Sequence, residues 1–236
     1  MAFDRDSAVV IAAAFVPALI TLAIVRRSAR AGMGVGFFVC LFAFGYGALF
    51  AILFAILLNP IATAFFHGLL PAYSAQFVAI VIAAPVAEEF VKAYGVRIFR
   101  GAIGAPVDGI VLGAACALGF SATENLAYGA STLAASGTTA WLAIAIARSI
   151  SSSLVHPSAT GITGYGIART HLRGHSWLAV VPYYLLAVGL HATFNYTAEF
   201  MAPIQIGDAS LSLNFLAAIV LAWLAFRGLR TAVRRG

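Results

Sequence analysis

Several side chains able to ionise or to hydrogen-bond strongly stand inside runs of sequence built otherwise from Ala, Val, Ile, Leu and Phe. They are Glu88, Glu89 and Lys92, then Glu124 and Asn125, then Arg148 and His156, and lastly His191 and Asn195. An ionisable group in hydrocarbon costs several kcal/mol, so each of these is a candidate for function. Carboxylates and imidazoles together make an acid/base set or a metal-ligand set. Glu88 and Lys92 are four residues apart, as are His191 and Asn195, so each pair shares one face of a helix. Glu88 and Glu89 diverge by about 100° and cannot face one point equally. One is the reacting group and the other the partner of Lys92; spacing does not choose between them.

A lone Glu–Lys pair or a lone His on a packed face is more often a structural contact than a catalyst. Arg148 also admits a structural reading, as a partner of Glu124. His156 precedes Pro157, which removes a backbone donor and favours a kink, although the glycines at 161, 164 and 166 would equally suit a bent, closely packed helix.

The elements that must position these residues follow from composition. Of the 236 residues, 62% are hydrophobic and 9% charged, against about 25% charged in soluble domains. The apolar residues come in blocks of roughly 20, enough for a helix to cross about 30 Å of hydrocarbon. Spans are expected at 8–25, 35–58, 74–98, 107–128, 140–168, 177–198 and 210–227. The fold class is therefore all-α, a polytopic transmembrane bundle of about seven spans. It forms one domain over 1–236, with the chemistry in a core at 74–198. The opening MAFDRDS lacks a basic n-region, so the first run is expected to remain as a helix.

Arginines 26, 27 and 30, then 97 and 100, then 169 and 173, and finally 227, 230, 234 and 235 follow alternate spans, while the loops 59–73, 129–139 and 199–209 hold no Lys or Arg. By the positive-inside rule the N-terminus faces out and the C-terminus faces the cytoplasm. The net charge of +6 thus reads as topology, not as nucleic-acid binding. Loop 59–73 opens on Asn59-Pro60 and is expected to hold a short interfacial helix with a bland His67. Cys40 and Cys116 lie in apolar runs and read as buried thiols. The glycines in GMGVGFF, FGYG and GITGYG suit close helix contact in lipid.

Groups that cooperate must share one layer of the membrane. Counted from the cytoplasmic loops, Glu88 lies roughly 12 residues deep, His156 about 13, His191 about 14 and Glu124 about 17. At about 1.5 Å per residue these depths are ~18 to 26 Å, so all four could meet near mid-membrane.

The strings AEEFVK at 87–92, GFSATENLAYG at 119–129, HPSATGITGYG at 156–166 and HATFN at 191–195 resemble the PrsW family of intramembrane proteases, in the family's order and on four successive spans. That group is similar in turn to the CAAX prenyl endopeptidases and bacteriocin-processing membrane proteins, although here Glu124 stands where those carry His. The resemblance implies an intramembrane peptidase of the cell membrane. Glu88 or Glu89 would activate water, Glu124, His156 and His191 would bind a metal or shape the water site, and Asn195 would donate to the oxyanion. Lys92 and Asn125 would support them. It also implies a membrane-embedded substrate, a single-span protein such as an anti-sigma factor.

The cofactor is open between none and zinc. Two His and a Glu suit zinc with an open water position, whereas the lack of an HExxH spacing tips the reading toward a metal-free carboxylate base. A proton-coupled transporter or channel would use similar buried residues, but it predicts repeats that the sequence lacks. A non-catalytic scaffold or immunity protein would have no need of every motif residue.

Overall fold

A computed structural model describes residues 5–29, 35–200, 204–206, 209–211 and 214–235, with the side chains of 5–7, 132–147, 204–206, 209–211 and 215 outside that description. Arg30, Gly32, Gly34 and Asp208, which entered the charge and glycine readings, lie outside the described residues.

Helix α1 (Arg5–Ser28) is followed by α2 (Phe37–Tyr46), which runs through a widened π-turn at Gly47–Ala51 into α3 (Ile52–Leu69). Helix α4 (Ala72–Phe77) runs through a second widened turn at Val78–Ala83 into α5 (Ala84–Ile98). Then come α6 (Pro106–Arg173), α7 (Val181–Glu199), a small antiparallel pair of strands, β1 (Ile204–Ile206) and β2 (Ala209–Leu211), and α8 (Asn214–Arg235). Apart from that pair the described chain is helical, as expected. Six helices among the described residues are long and apolar enough to cross a membrane: Ala8–Ser28, Phe37–Leu69, Ala72–Ile98, Pro106–Ser131, Trp177–Glu199 and Leu216–Arg235.

The 68 residues of α6 would extend about 100 Å if straight. They do not. Gly109 abuts Gly164, Gly113 abuts Thr160, and Ser121 Oγ lies 2.6 Å from Ser152 Oγ, so the run doubles back as two antiparallel legs. These pairs put the reversal between Ser121 and Ser152, and residues 129–139, expected as a loop, are helical. The returning leg carries the part of the expected fifth span, 140–168, whose side chains are described, 148–168. Its string SISSSLVHPSATGITGYG is polar because it faces protein: Ser151, Val155, His156, Thr160 and Thr163 are all buried. The outgoing leg is 89% buried over its apolar window. Helices α1, α2, α5, α7 and α8 all pack against this hairpin, which makes it the axis of the bundle.

Glycine sets the closeness of these crossings. A methyl at Gly47 would overlap the Cys116 carbonyl, one at Gly119 the Phe44 carbonyl, and one at Gly164 the Gly109 carbonyl. Small residues let helices approach in lipid, where no hydrophobic force drives them together. Cys40 and Cys116 are buried free thiols.

One expected boundary is overturned. Asn59-Pro60 does not begin a loop, because α3 continues to Leu69 with Pro60 inside it, and the interfacial segment expected over 59–73 is largely the outer end of that helix. Asn-Pro favours a turn when the amide must seek water. Here the Asn59 side chain finds a partner inside the protein, and the apolar stretch after it extends the span.

Candidate active site

Helix α5 carries the glutamates. Pro85 stands in its first turn, where a missing N–H is tolerated. The preceding widened turn bonds each N–H five residues back, as Ala84 does to Ala79. Pro85 brings no N–H to Ile80, and the Ile80 carbonyl accepts instead from Asn195 Nδ2 at 3.0 Å. A proline on one helix thereby fixes a carboxamide on another.

Lys92 is fully buried and holds the cluster together. Its Nζ lies 3.0 Å from Glu89 Oε1, 3.4 Å from Glu88 Oε2, 3.0 Å from His156 Nδ1 and 4.1 Å from the centre of the Phe120 ring. Glu89, also fully buried, has every oxygen committed: Oε1 accepts from Lys92 and from His191 Nδ1 at 3.0 Å, and Oε2 accepts from Thr160 Oγ1 at 2.7 Å. Glu88 accepts from Asn59 Nδ2 at 3.2 Å through Oε1, and its Oε2 stands 3.9 Å from His191 Nε2. The two adjacent glutamates have separate surroundings, and only Glu88 lines the cavity described below.

The histidine tautomers follow from these partners. An ammonium can only donate, so His156 Nδ1 accepts and Nε2, which then carries the ring hydrogen, faces Glu124 Oε2 at 3.3 Å. An ionised carboxylate can only accept, so His191 Nδ1 donates to Glu89 and the Nε2 lone pair is turned toward Glu88. The two rings meet edge to face with centroids 4.6 Å apart.

Three carboxylates here face two cations, Lys92 and Arg148, in a buried setting that penalises uncompensated charge. Glu88, His156 and His191, one from each of three elements, offer ligand atoms that all lie within 4.8 Å of one another. The donor set, two imidazoles and a carboxylate, suits zinc or a similar divalent ion. Glu124 Oε2 is buried without a hydrogen-bond partner among the described residues. Its separation from His156 Nε2 is close to the ligand–ligand edge of a tetrahedral zinc site, about 3.4 Å for bonds of about 2.0 to 2.2 Å. The residues present fit a metal. The expected ligands Glu124, His156 and His191 are all at hand, but Glu88 is the carboxylate that groups with both histidines.

A cavity of about 730 Å³ reaches the cluster. Glu88, Glu124, His156 and Asn195 line it, together with Thr63, Tyr128, Arg148 and Glu199. Lys92, Glu89 and His191 stand behind the wall. Arg148 Nη2 lies 3.6 Å from Glu124 Oε2, the pairing that the sequence admitted. Asn125 is buried with neither carboxamide atom bonded among the described residues, so no hydrogen bond ties it to the cluster. Asn59 and Thr160 were not anticipated. Thr160 could have been read from its place one turn beyond His156, whereas Asn59 was hidden by its resemblance to a turn.

The family model described as PrsW family intramembrane metalloprotease matches residues 36–225. No curated protein and no solved structure matches the chain.

Proposed function

The chain belongs to the PrsW family of intramembrane metalloproteases, and from that premise we propose how its residues divide the work. As an intramembrane peptidase it acts on proteins within the bilayer; the transporter and scaffold readings fall away. Glu88, His156 and His191 are the metal ligands, zinc being the ion that their chemistry suits. When bound, the metal polarises the scissile carbonyl and brings the pKa of water to about 7. Glu89 holds the donating nitrogen of His191 and so fixes the tautomer and ring angle of a ligand, as carboxylates commonly do behind metal-binding histidines. Lys92 balances both glutamates, and because it donates to His156 Nδ1, His156 can offer Nε2 to a metal only once that nitrogen has given up its hydrogen.

Glu124 is the general base. It lines the cavity, its Oε2 has no hydrogen bond, and it stands beside His156, where it can take a proton from water and return it to the leaving amine. The cavity gives room for a peptide that has left the helical form, which a helical substrate must do because its carbonyls are bonded internally. With the Arg clusters cytoplasmic, the lining residues Thr63, Tyr128 and Glu199 belong to the outer half of the membrane. A single-span substrate, of which an anti-sigma factor is one kind, is therefore cut from that side, in the plasma membrane. The returning leg of α6 is the seventh crossing.

The observation that carries this reading is the grouping of Glu88, His156 and His191, the first two of which line a cavity that Glu124 also lines. To test it, the purified protein in lipid is incubated with single-span substrates, with and without a chelator, and its metal content is measured. Wild type should cleave and hold about one metal ion per chain, since three protein ligands define one open catalytic site. Glu124→Gln should keep the metal and lose cleavage by about 100- to 10,000-fold, the range of general-base contributions. Cleavage that survives in Glu124→Gln, or that resists exhaustive chelation, would reject the assignment.

A further inference from the structure

Among the described residues, Arg148 is the one Arg or Lys that lines the cavity. It lies on the returning leg of α6, two turns before His156, and its side chain is 22% exposed. Its guanidinium lies over Tyr128 at 3.6 Å from the ring centre, a stacking that fixes the plane of the fork without using its hydrogens. Nη2 comes no nearer than 3.6 Å to Glu124 Oε2, and Nε is buried without a hydrogen-bond partner among the described residues. A cation that served only to neutralise Glu124 would be expected to close on it with two parallel bonds, the favoured Arg–carboxylate geometry. This one is held short of that contact, on a side chain that lines the cavity.

Peptide hydrolysis supplies an acceptor for those donors. As the water oxygen bonds to the carbonyl carbon, the π pair moves onto the carbonyl oxygen and one proton of the water passes to Glu124. The oxyanion's pair then re-forms the carbonyl as the C–N bond breaks with its pair going to nitrogen, which takes the proton from Glu124, leaving a carboxylic acid and an amine. An oxyanion therefore needs donors on the cavity side of Glu124. Lys92 is spent on two glutamates and a histidine behind the wall. Asn195 gives an amide hydrogen to Ile80.

We propose that Arg148 is a further catalytic residue of this site, its guanidinium donating to the oxyanion of the tetrahedral intermediate. The inference rests on the peptidase reading and on Glu124 as the base. It carries a consequence of its own. While Glu124 is ionised it competes for the guanidinium, and the proton transfer that neutralises Glu124 releases Arg148 at the moment the oxyanion forms. The interaction is thus stronger in the transition state than in the ground state, which is the condition for raising kcat.

The test uses full-length protein in lipid and a substrate that the wild type cleaves. Arg148→Ala should lower kcat by about 100- to 1,000-fold, the loss typical of removing one oxyanion donor, with KM and metal content little changed. Methylguanidinium added to Arg148→Ala should restore part of that kcat and should leave the wild type unaffected. Wild-type kcat in the alanine variant, a loss confined to KM, a parallel loss of metal, or no response to methylguanidinium would each overturn the role. Should the alanine variant not accumulate, Arg148→Lys carries the test, since it keeps the charge but not the fork. Reduced kcat at unchanged KM then supports the role, and wild-type kcat overturns it. A wild type that cleaves no substrate faults the peptidase reading itself, a result distinct from any difference between variants.

Discussion

Glu88 and Glu89 show how adjacent identical residues come to hold different roles. Glu89 is surrounded by three donors and touches no cavity, while Glu88 keeps one oxygen toward the histidines and the cavity. Glu89→Gln leaves Lys92 short of a partner and turns an amide hydrogen toward either Lys92 and His191 or Thr160. Breaking a buried charge pair in this way is strongly destabilising, about 3 to 5 kcal/mol. Thermal unfolding in detergent should therefore show a large drop for Glu89→Gln. Glu88→Gln, whose carboxylate has fewer bonds to lose, should unfold nearer to wild type and instead lose its metal. The opposite ranking would exchange the roles. Asn59 adds a related expectation. Its amide orients Glu88 from α3, so Asn59→Leu should weaken zinc binding by roughly 10- to 100-fold, as loss of a ligand's outer partner does. Metal titration of the apoprotein measures this without any substrate.

At the scale of elements, the site depends on two legs of one hairpin meeting without side chains between them. Gly164 faces the Gly109 carbonyl, and eight residues before it on the same leg stands His156, opposite Glu124. Gly164→Leu must push the legs apart. Overpacking of this kind costs about 1 to 3 kcal/mol, and it should also separate His156 from Glu124, so that both stability and metal affinity fall. Gly45→Ala, with open space around the added methyl, is the control and should change neither. The sequence disclosed most of these elements, because apolar blocks of membrane length and clustered arginines are strong local signals. It was least informative where tertiary structure overrides local cues. From Arg148 onward the returning leg is largely enclosed by protein, and its serines, threonines and glycines reflect those neighbours and not lipid. Asn59-Pro60 reads as a turn until Glu88 supplies the amide's partner. The tilt toward metal-free chemistry rested on the missing HExxH spacing, and a ligand group drawn from α5, α6 and α7 has no such spacing to display. The coarse convergence was nonetheless legible, since helical rise alone put Glu88, Glu124, His156 and His191 in one layer.

For the whole molecule, the decisive asymmetry is between the ends of the helices. Arg26, Arg27, Arg97, Arg100, Arg169, Arg173 and the arginines of α8 stand at or beyond one set of helix ends, and the cavity lining includes Tyr128 and Glu199, which stand near the opposite ends of their apolar segments. Moving that many positive charges across a bilayer is unfavourable, and on that ground the proposed topology puts the arginine end in the cytoplasm and has the cavity take substrate from outside. The two native thiols make this measurable, because Cys40 is 1% exposed and Cys116 fully buried, which gives a nearly silent background. In intact cells a membrane-impermeant maleimide should modify Glu199→Cys, at the exposed rim of the cavity, and should leave Arg173→Cys untouched until the membrane is permeabilised. Labelling of Arg173→Cys from outside would invert the topology, and with it the side from which a substrate must approach. Pre-loading Glu199→Cys cells with an uncleavable single-span substrate should slow that labelling, because a peptide reaching Glu88 and His156 along the cavity has to pass its rim. Unslowed labelling alongside normal cleavage would mean that the substrate reaches the site by another route, between the helices from the lipid.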